Sequence, residues 1–321
     1  MDRQLSLEFA RITEQAALKS ARLVGLGDKE GADQAAVDGM HEQFALTPVS
    51  GTVVIGEGEI DEAPMLYIGE HVGQGGEEVD IAVDPVEGTN LVAKGKNGAS
   101  AVLAIAPKGC LLHAPDMYMQ KICVGPRAKG RIDIRASVTE NLKNVADAMG
   151  REVSDLTMVI LDRERHEKII REAREAGARV YLITDGDVVP SVDCGIQGSG
   201  IHMVMGSGGA PEGVLSAVGL KCLGGDMQAR LLPQTEQEIQ RLHTMGIDDP
   251  NKVLTLDDLV KGDDCIFAET AITDCAMLRG VRFFGGGART STLVLRYKTG
   301  TVRFIDTVHR FGEDKPGVRM F

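Results

Sequence analysis

The stretch Asp84-Pro85-Val86-Glu87 puts two carboxylates on either side of a stiff dipeptide. Pro85 fixes its own φ, Val86 can anchor the chain, and Glu87 can return to the side of Asp84. Two carboxylates on such a rigid turn form a hard oxygen pocket suited to Mg²⁺ or Mn²⁺. A solvated acidic turn would read the same way in isolation. Gly88-Thr89-Asn90 then opens a short predicted helix, whose first amides can hold a phosphate and whose Thr89 brings a hydroxyl close by. Glu57 and Glu59 follow the predicted strand 53–55 at its carboxyl end, where ligands gather in open sheets. Asp80 sits one strand-length before Asp84, placed to orient the ligands. Asp33, on a helix expected over 32–44, shares a face with Ala36 and Val37. An ionised group there needs a cation or several hydrogen bonds, although near a helix start it could equally cap or complement the dipole. Glu212, opening a helix after Gly206-Ser207-Gly208-Gly209, reads on its own as complementing the helix dipole, and the amides of those glycines could hold a phosphate.

Cations suited to anion binding are fewer. Arg163 and Arg165 precede a predicted helix, and guanidinium forks match phosphate oxygens. Two surface arginines would look no different. Tyr118 could hydrogen-bond a ligand, and Asp185-Gly186-Asp187 could accept from ligand hydroxyls or form a plain surface turn. His166 and His202 receive no role, since isolated histidines are usually structural.

Positioning these residues requires several elements. A long first helix is expected from Leu5 to about Leu23, and strands at 53–55, 78–83, 101–106, 117–124 and 131–136. From about residue 138 helices (140–149, 166–176, 212–218) alternate with strands (157–161, 180–183, 201–205), a rhythm that predicts a largely parallel sheet. A hairpin around Thr299-Gly300 closes the pattern. The expected class is α/β, an α+β lobe over 1–137 and an α/β lobe over 138–321 that includes the hairpin.

The 321 residues, 43% hydrophobic and 26% charged, fit a globular chain with a sizeable core. No apolar run approaches a membrane span and the N-terminus lacks a signal-peptide layout, so a cytoplasmic setting without a membrane partner is expected. A net charge of -12 without a basic face argues against nucleic acid. It does not forbid an anionic substrate, because metal ions invert the local field. The six cysteines are scattered, without a Cys-x-x-Cys pair, and are expected to be reduced thiols.

Asp84-Pro85-Val86-Glu87-Gly88-Thr89 resembles the signature of the lithium-sensitive, metal-dependent phosphatase superfamily, which includes inositol monophosphatases and fructose-1,6-bisphosphatases. Further segments are similar to the class II, bacterial-type fructose-1,6-bisphosphatases: 27–29, 32–37, 54–66, Asp116-Met117-Tyr118-Met119-Gln120-Lys121, Thr184-Asp185-Gly186-Asp187 and Gly208-Gly209-Ala210-Pro211-Glu212-Gly213. Glu87 stands where the inositol phosphatases have Asp, which favours the narrower family. The tail from Gly312 matches no part of it. The resemblance implies a layered α-β-α-β-α sandwich of the sugar and inositol phosphatase type, and hydrolysis of fructose 1,6-bisphosphate to fructose 6-phosphate in gluconeogenesis. Sedoheptulose 1,7-bisphosphate is the alternative or additional substrate. It implies Mn²⁺ or Mg²⁺ on Asp33, Glu57, Asp84, Glu87 and Glu212, with Thr89, Glu57 and Asp84 catalytic. The sugar bisphosphate falls to Glu87, Gly88, Thr89, Tyr118, Arg163, Glu164, Arg165, Asp185, Gly186, Asp187 and Gly209. A homo-oligomer, dimer or tetramer, is also implied. A sugar-phosphate-binding regulator without turnover is the non-enzymatic alternative, disfavoured by the intact Asp84, Glu87, Thr89 and Glu212. A dinucleotide-binding oxidoreductase is set aside, because 206–211 is not G-x-G-x-x-G.

Overall fold

A computed structural model describes residues 1–2, 4–58, 65–244, 247, 249 and 251–312. Glu59 and the rest of the 59–64 motif, and the tail beyond Gly312, lie outside the described residues. The chain begins with α1 (Leu5–Ser20), α2 (Lys29–Phe44), β1 (Val49–Ile55), β2 (His71–Val72), β3 (Glu77–Glu87), α3 (Thr89–Ala93) and β4 (Ser100–Pro107). Then come β5 (Tyr118–Val124), α4 (Val138–Met149), β6 (Thr157–Leu161), α5 (Glu167–Glu175), β7 (Arg179–Ile183) and α6 (Val188–Asp193). They are followed by β8 (Met203–Gly209), α7 (Ala210–Leu223), β9 (Asp226–Leu231), α8 (Glu236–Thr244), β10 (Leu254–Thr255) and α9 (Leu256–Leu259). The chain closes with β11 (Ile266–Ala271), β12 (Arg282–Phe284), β13 (Gly287–Arg296) and β14 (Thr301–Arg310). The class is mixed α/β, as expected, built on two sheets. No described helix is long and apolar enough to cross a membrane.

Contacts divide the chain into two compact units, residues 1–109 with 263–321, and residues 110–262. The division expected at 137/138 differs for a physical reason. β5 pairs with β8 and β9 of the second sheet, whereas the C-terminal hairpin, β13–β14, pairs through β11 with β4 of the first. Hydrogen-bonded ladders, not sequence order, decide membership.

In the first unit an eight-stranded sheet runs β12-β13-β11-β4-β3-β1-β2, with β14 on the outer side of β13. One face packs on α1 and α2. Phe9, Ile12, Met40 and Phe44 meet Ile81, Val83, Leu103 and Ile105, all buried. β1 and β3 are parallel, so both carry their following residues to one edge.

In the second unit the sheet runs β10-β9-β5-β8-β6-β7. The β6–β7 and β6–β8 pairs are parallel, whereas the β8–β5, β5–β9 and β9–β10 pairs are antiparallel, so the largely parallel sheet expected here is mixed. The strand expected at 131–136 is not one. Ile132 and Ile134 alternate into the core like strand residues, but the backbone N–H groups of Asp133 and Ile134 are taken by the side chains of Asn141 and Gln228. The glycines 206–209, expected as a loop, continue β8 opposite β5 as far as Tyr118↔Gly209 and run straight into α7.

Asp264 and Arg296 in the first unit form a buried two-pronged ion pair, Arg296 donating through Nε (3.1 Å) and Nη2 (2.9 Å). Removing one partner leaves the other charge stranded. Asp264→Ala is expected to lower unfolding free energy by about 3–5 kcal/mol. Glu78→Ala, which breaks the exposed Lys108–Glu78 pair, should cost far less. Urea denaturation of both variants checks the ordering.

Candidate active site

The first unit gathers its acids beyond the carboxyl ends of β1 and β3. Asp28 is the residue that caps α2, accepting from the Gly31 amide at 2.9 Å. Asp33 therefore lies a turn inside the helix, and the capping alternative falls away. Its carboxyl is hydrogen-bonded to that of Glu57, which leaves β1 at Gly56. Burial pushes Glu57 up to about 8, reinforced by the like charge of Asp33. Asp33 is raised too, chiefly by burial. A pair of acids sharing one proton is a site poised to exchange that proton for a cation.

Asp84 and Glu87 were expected on a turn. They lie instead within β3, which carries a bulge. Asp84 pairs with Val102 and Glu87 with Ser100, so three steps on β3 match two on β4. In a regular strand residues three apart face opposite ways. Here Val79, Ile81, Val83 and then Val86 all enter the α1–α2 core, so the parity flips between Val83 and Val86. The bulge thus puts Glu87 on the face of Asp80 and Asp84, where Glu87 and Asp80 are buried. Asp84 also accepts from the Val86 amide at 3.1 Å. Gly88 then takes a left-handed φ of 86°, which a side chain would resist, and starts α3. Thr89 Oγ1 donates to the Val86 carbonyl at 3.2 Å. The amides of Gly25 and Gly27, just before α2, bond the carbonyls of Val92 and Ala93 at the end of α3 (2.9 and 3.0 Å). The Asp33 and Thr89 helices are thereby tied together.

The second unit assembles most of its expected residues around the carboxyl ends of β6, β7 and β8 and the start of β5. Arg165 lies over the Tyr118 ring, 5.0 Å from its centroid, and donates to Ser207 Oγ (3.1 Å) and Ser207 O (2.9 Å). Arg163 donates to the carbonyls of Asp162 (3.0 Å) and Thr184 (2.8 Å), which fixes it beside Asp185. Glu164 is exposed between them. A Cβ on Gly209 would fall 1.9 Å from Glu212 Oε2, so glycine lets that carboxylate fold back along β8. Glu212 Oε2 is buried with no hydrogen-bond partner among the described residues. Burial raises the pKa of Glu212 and Lys121 pulls it back. Asp187, expected to meet sugar, is buried and accepts from Lys121 Nζ at 2.7 Å. Asp185 and Gly186 lie half-buried on the same segment.

Sequence reasoning missed Lys121 and Ser207. Lys121 was readable, since a lysine between Met119 and Cys123 alternates onto a buried face. Ser207 emerges only from the β5–β8 pairing. His166 is structural: its Nε2 accepts the Ser207 amide (2.9 Å), so the proton sits on Nδ1, bonded to Leu161 O (2.8 Å). His202 Nδ1 likewise accepts the Thr157 amide, at 3.0 Å.

Among the described residues no three His, Cys, Asp or Glu side chains converge tightly enough to be a ready-made metal cage. The fit of a metal therefore rests on donor chemistry. The candidates are carboxylates, two of them share a proton, and one buried oxygen is orphaned. Such a set fits a hard dication.

The first unit thus gathers carboxylates suited to a hard dication, and the second gathers arginines suited to phosphate together with the buried Glu212, the donor chemistry of a phosphate-handling hydrolase. Residues 3–309 match the family described as bacterial fructose-1,6-bisphosphatase, glpX-encoded. A relative from Synechococcus sp. (strain JA-2-3B'a(2-13)), named D-fructose 1,6-bisphosphatase class 2/sedoheptulose 1,7-bisphosphatase, is 50% identical over 100% of both chains. Relatives of the same name from Crocosphaera subtropica and Trichodesmium erythraeum are 48% and 47% identical, covering 96% and 98% of this chain and 97% and 99% of their own. The chain belongs to the bacterial, class II fructose-1,6-bisphosphatase family. It is a phosphatase, and its family is metal-dependent.

The raised Glu57 gives the metal-free protein a defined pH response. An acid whose folded pKa exceeds its unfolded value, 4.5 rising to about 8, stabilises the fold fully below 4.5. That contribution is lost as pH rises through about 8. In chelator, wild-type Tm should fall relative to Glu57→Gln between pH 5.5 and 8.5. Melting curves that run parallel across that range would refute the shared-proton pair.

Proposed function

We propose that this chain hydrolyses fructose 1,6-bisphosphate to fructose 6-phosphate and phosphate with Mn²⁺ or Mg²⁺ held by Asp33, Glu57, Asp84, Glu87 and Glu212. The observation that carries the reading is family membership over residues 3–309, with the signature acids Asp84 and Glu87 brought to one sheet face by the bulge. The all-carboxylate donor set favours hard ions, which supports Mn²⁺ or Mg²⁺. The ion supplies Lewis acidity to the phosphoryl oxygens and the leaving alkoxide.

The protein's own groups do the rest. Thr89 Oγ1 has its proton committed to Val86 O, so its lone pairs are set to accept from an attacking water and orient it. Glu57, sharing a proton with Asp33, and Asp84 at the other end of the acid row complete the catalytic set. Glu87, Gly88 and the first amide of α3 support the scissile phosphate. Arg165, steered by Ser207 and stacked on Tyr118, keeps Nη1 for the second phosphate, and Arg163 offers its Nε. Glu164 borders that phosphate, while Asp185, Gly186, Asp187 and Gly209 border the sugar.

Relatives whose names carry both activities support sedoheptulose 1,7-bisphosphate as a second substrate, since both sugars present two terminal phosphates. A cytoplasmic homo-oligomer completes the proposal. Free cysteines accord with a reducing setting, and the ten-residue outer strand β14, with Val302, Phe304 and Val308 exposed, offers an edge for association.

Phosphate release from each sugar, with Mn²⁺, with Mg²⁺ and in chelator, tests the reading. Turnover should require the metal, and Thr89→Ala should lower kcat by about 100-fold or more. Full turnover in chelator would sink it.

A further inference from the structure

Lys121 is 1% exposed, at the middle of β5, on the face shared with the buried Met119 and Cys123. That face packs towards α6 and α7: a Cβ on Gly213 of α7 would meet Met119 Sδ at 2.3 Å. A lysine in such a layer is a poor choice for packing alone, since an apolar side chain of similar volume would hold the sheet at least as well. Its ammonium donates to Asp187 Oδ1 at 2.7 Å and lies within Coulombic range of Glu212. The pair sits against β8. A Cβ on Gly208 would fall 2.6 Å from Asp187 Oδ2 and 3.4 Å from Lys121 Nζ. Asp187 also ends the segment after β7, and its carbonyl accepts from the Ser191 hydroxyl of α6 at 2.6 Å. One lysine bond therefore fixes where the Thr184–Asp187 segment stands relative to β5 and β8.

We propose that Lys121 is a positioning residue for substrate recognition, holding the Asp187 carboxylate by Oδ1 so that Oδ2 and the Asp185–Gly186 backbone keep the geometry that accepts sugar hydroxyls. The inference rests on the sugar-bisphosphatase reading above. Lys121 itself touches no substrate.

Kinetics of Lys121→Met, Asp187→Asn and the charge-neutral double variant test it, with fructose 1,6-bisphosphate at saturating Mn²⁺ and Tm measured for each. A lost charged hydrogen bond predicts a KM about tenfold higher in Lys121→Met, with a smaller change in kcat. The double variant, which buries no unpaired charge at this pair and so keeps the test open if Lys121→Met fails to fold, should match Asp187→Asn in KM. A wild-type KM in Lys121→Met beside a raised KM in Asp187→Asn would overturn the role of Lys121 alone. So would a double variant much worse than Asp187→Asn. Wild-type KM in every variant would overturn Asp187 as a sugar contact as well, and absence of turnover in the wild type would overturn the underlying reading.

Discussion

Carboxylates held close together on half-buried backbone are electrostatically uphill until something positive joins them. At Asp33 and Glu57 the something is a proton, kept on Glu57 up to about 8 first by burial and then by the neighbouring Asp33. At Glu212 it is the ammonium of Lys121 acting at a distance, with one carboxylate oxygen still without a hydrogen-bond partner among the described residues. Both are incomplete solutions. A dication held at Asp33 and Glu57 would take the place of that proton, and one held at Glu212 would satisfy its orphan oxygen, so repulsion in the metal-free state would become binding affinity. Family membership and local electrostatics thus point to one ionic requirement from independent directions.

Sheet geometry determines where that repulsion is concentrated. Parallel neighbours carry their carboxyl ends to a common edge, and β1 and β3 in one unit, β6, β7 and β8 in the other, each deliver side chains there. The β3 bulge adds what parallel pairing cannot. Without the extra residue, Glu87 would enter the apolar core with Ile81 and Val83, at a cost no fold tolerates for an unpaired charge. With it, Val86 takes the core position and Glu87 joins Asp84. Pro85 suits the place, since a bulge residue need not donate to the ladder.

Much of this was legible in the residue order. The helices α1, α2 and α4, the strand β6 and the C-terminal hairpin follow from periodicity, and Asp33, Glu57 and Asp84 stood out because acids there break an apolar stripe or leave a strand end. What could not be read depends on partners distant in sequence. The span 131–136 alternates like a strand, yet Asn141 and Gln228 usurp its hydrogen bonds. The glycines 206–209 look like a loop until β5 pairs with them. The bulge is invisible without the register of β4, and the second unit's borders ignore the change of rhythm near residue 138 because β5 and β9 are ladder neighbours separated by about a hundred residues of chain. Ser207 has no local signal at all, being defined by His166 and Arg165.

A chain of net charge -12 that handles a doubly phosphorylated sugar must solve attraction locally. In the proposed site the two arginines would do so without freedom to wander. Arg163 is spent partly on the carbonyls of Asp162 and Thr184, and Arg165 on Ser207 and the Tyr118 face. Each anchor removes rotamer entropy before any phosphate arrives, so less is lost on binding. Holding a guanidinium by carbonyls and a hydroxyl, and not by carboxylates, leaves its full charge for the ligand. In that reading the acids would be kept for the metal, and the one that borders the sugar, Asp187, is paired with a buried lysine. In the proposed site the two charge problems would be separated by residue type, carboxylates concentrating the cation and backbone carbonyls aiming the arginines.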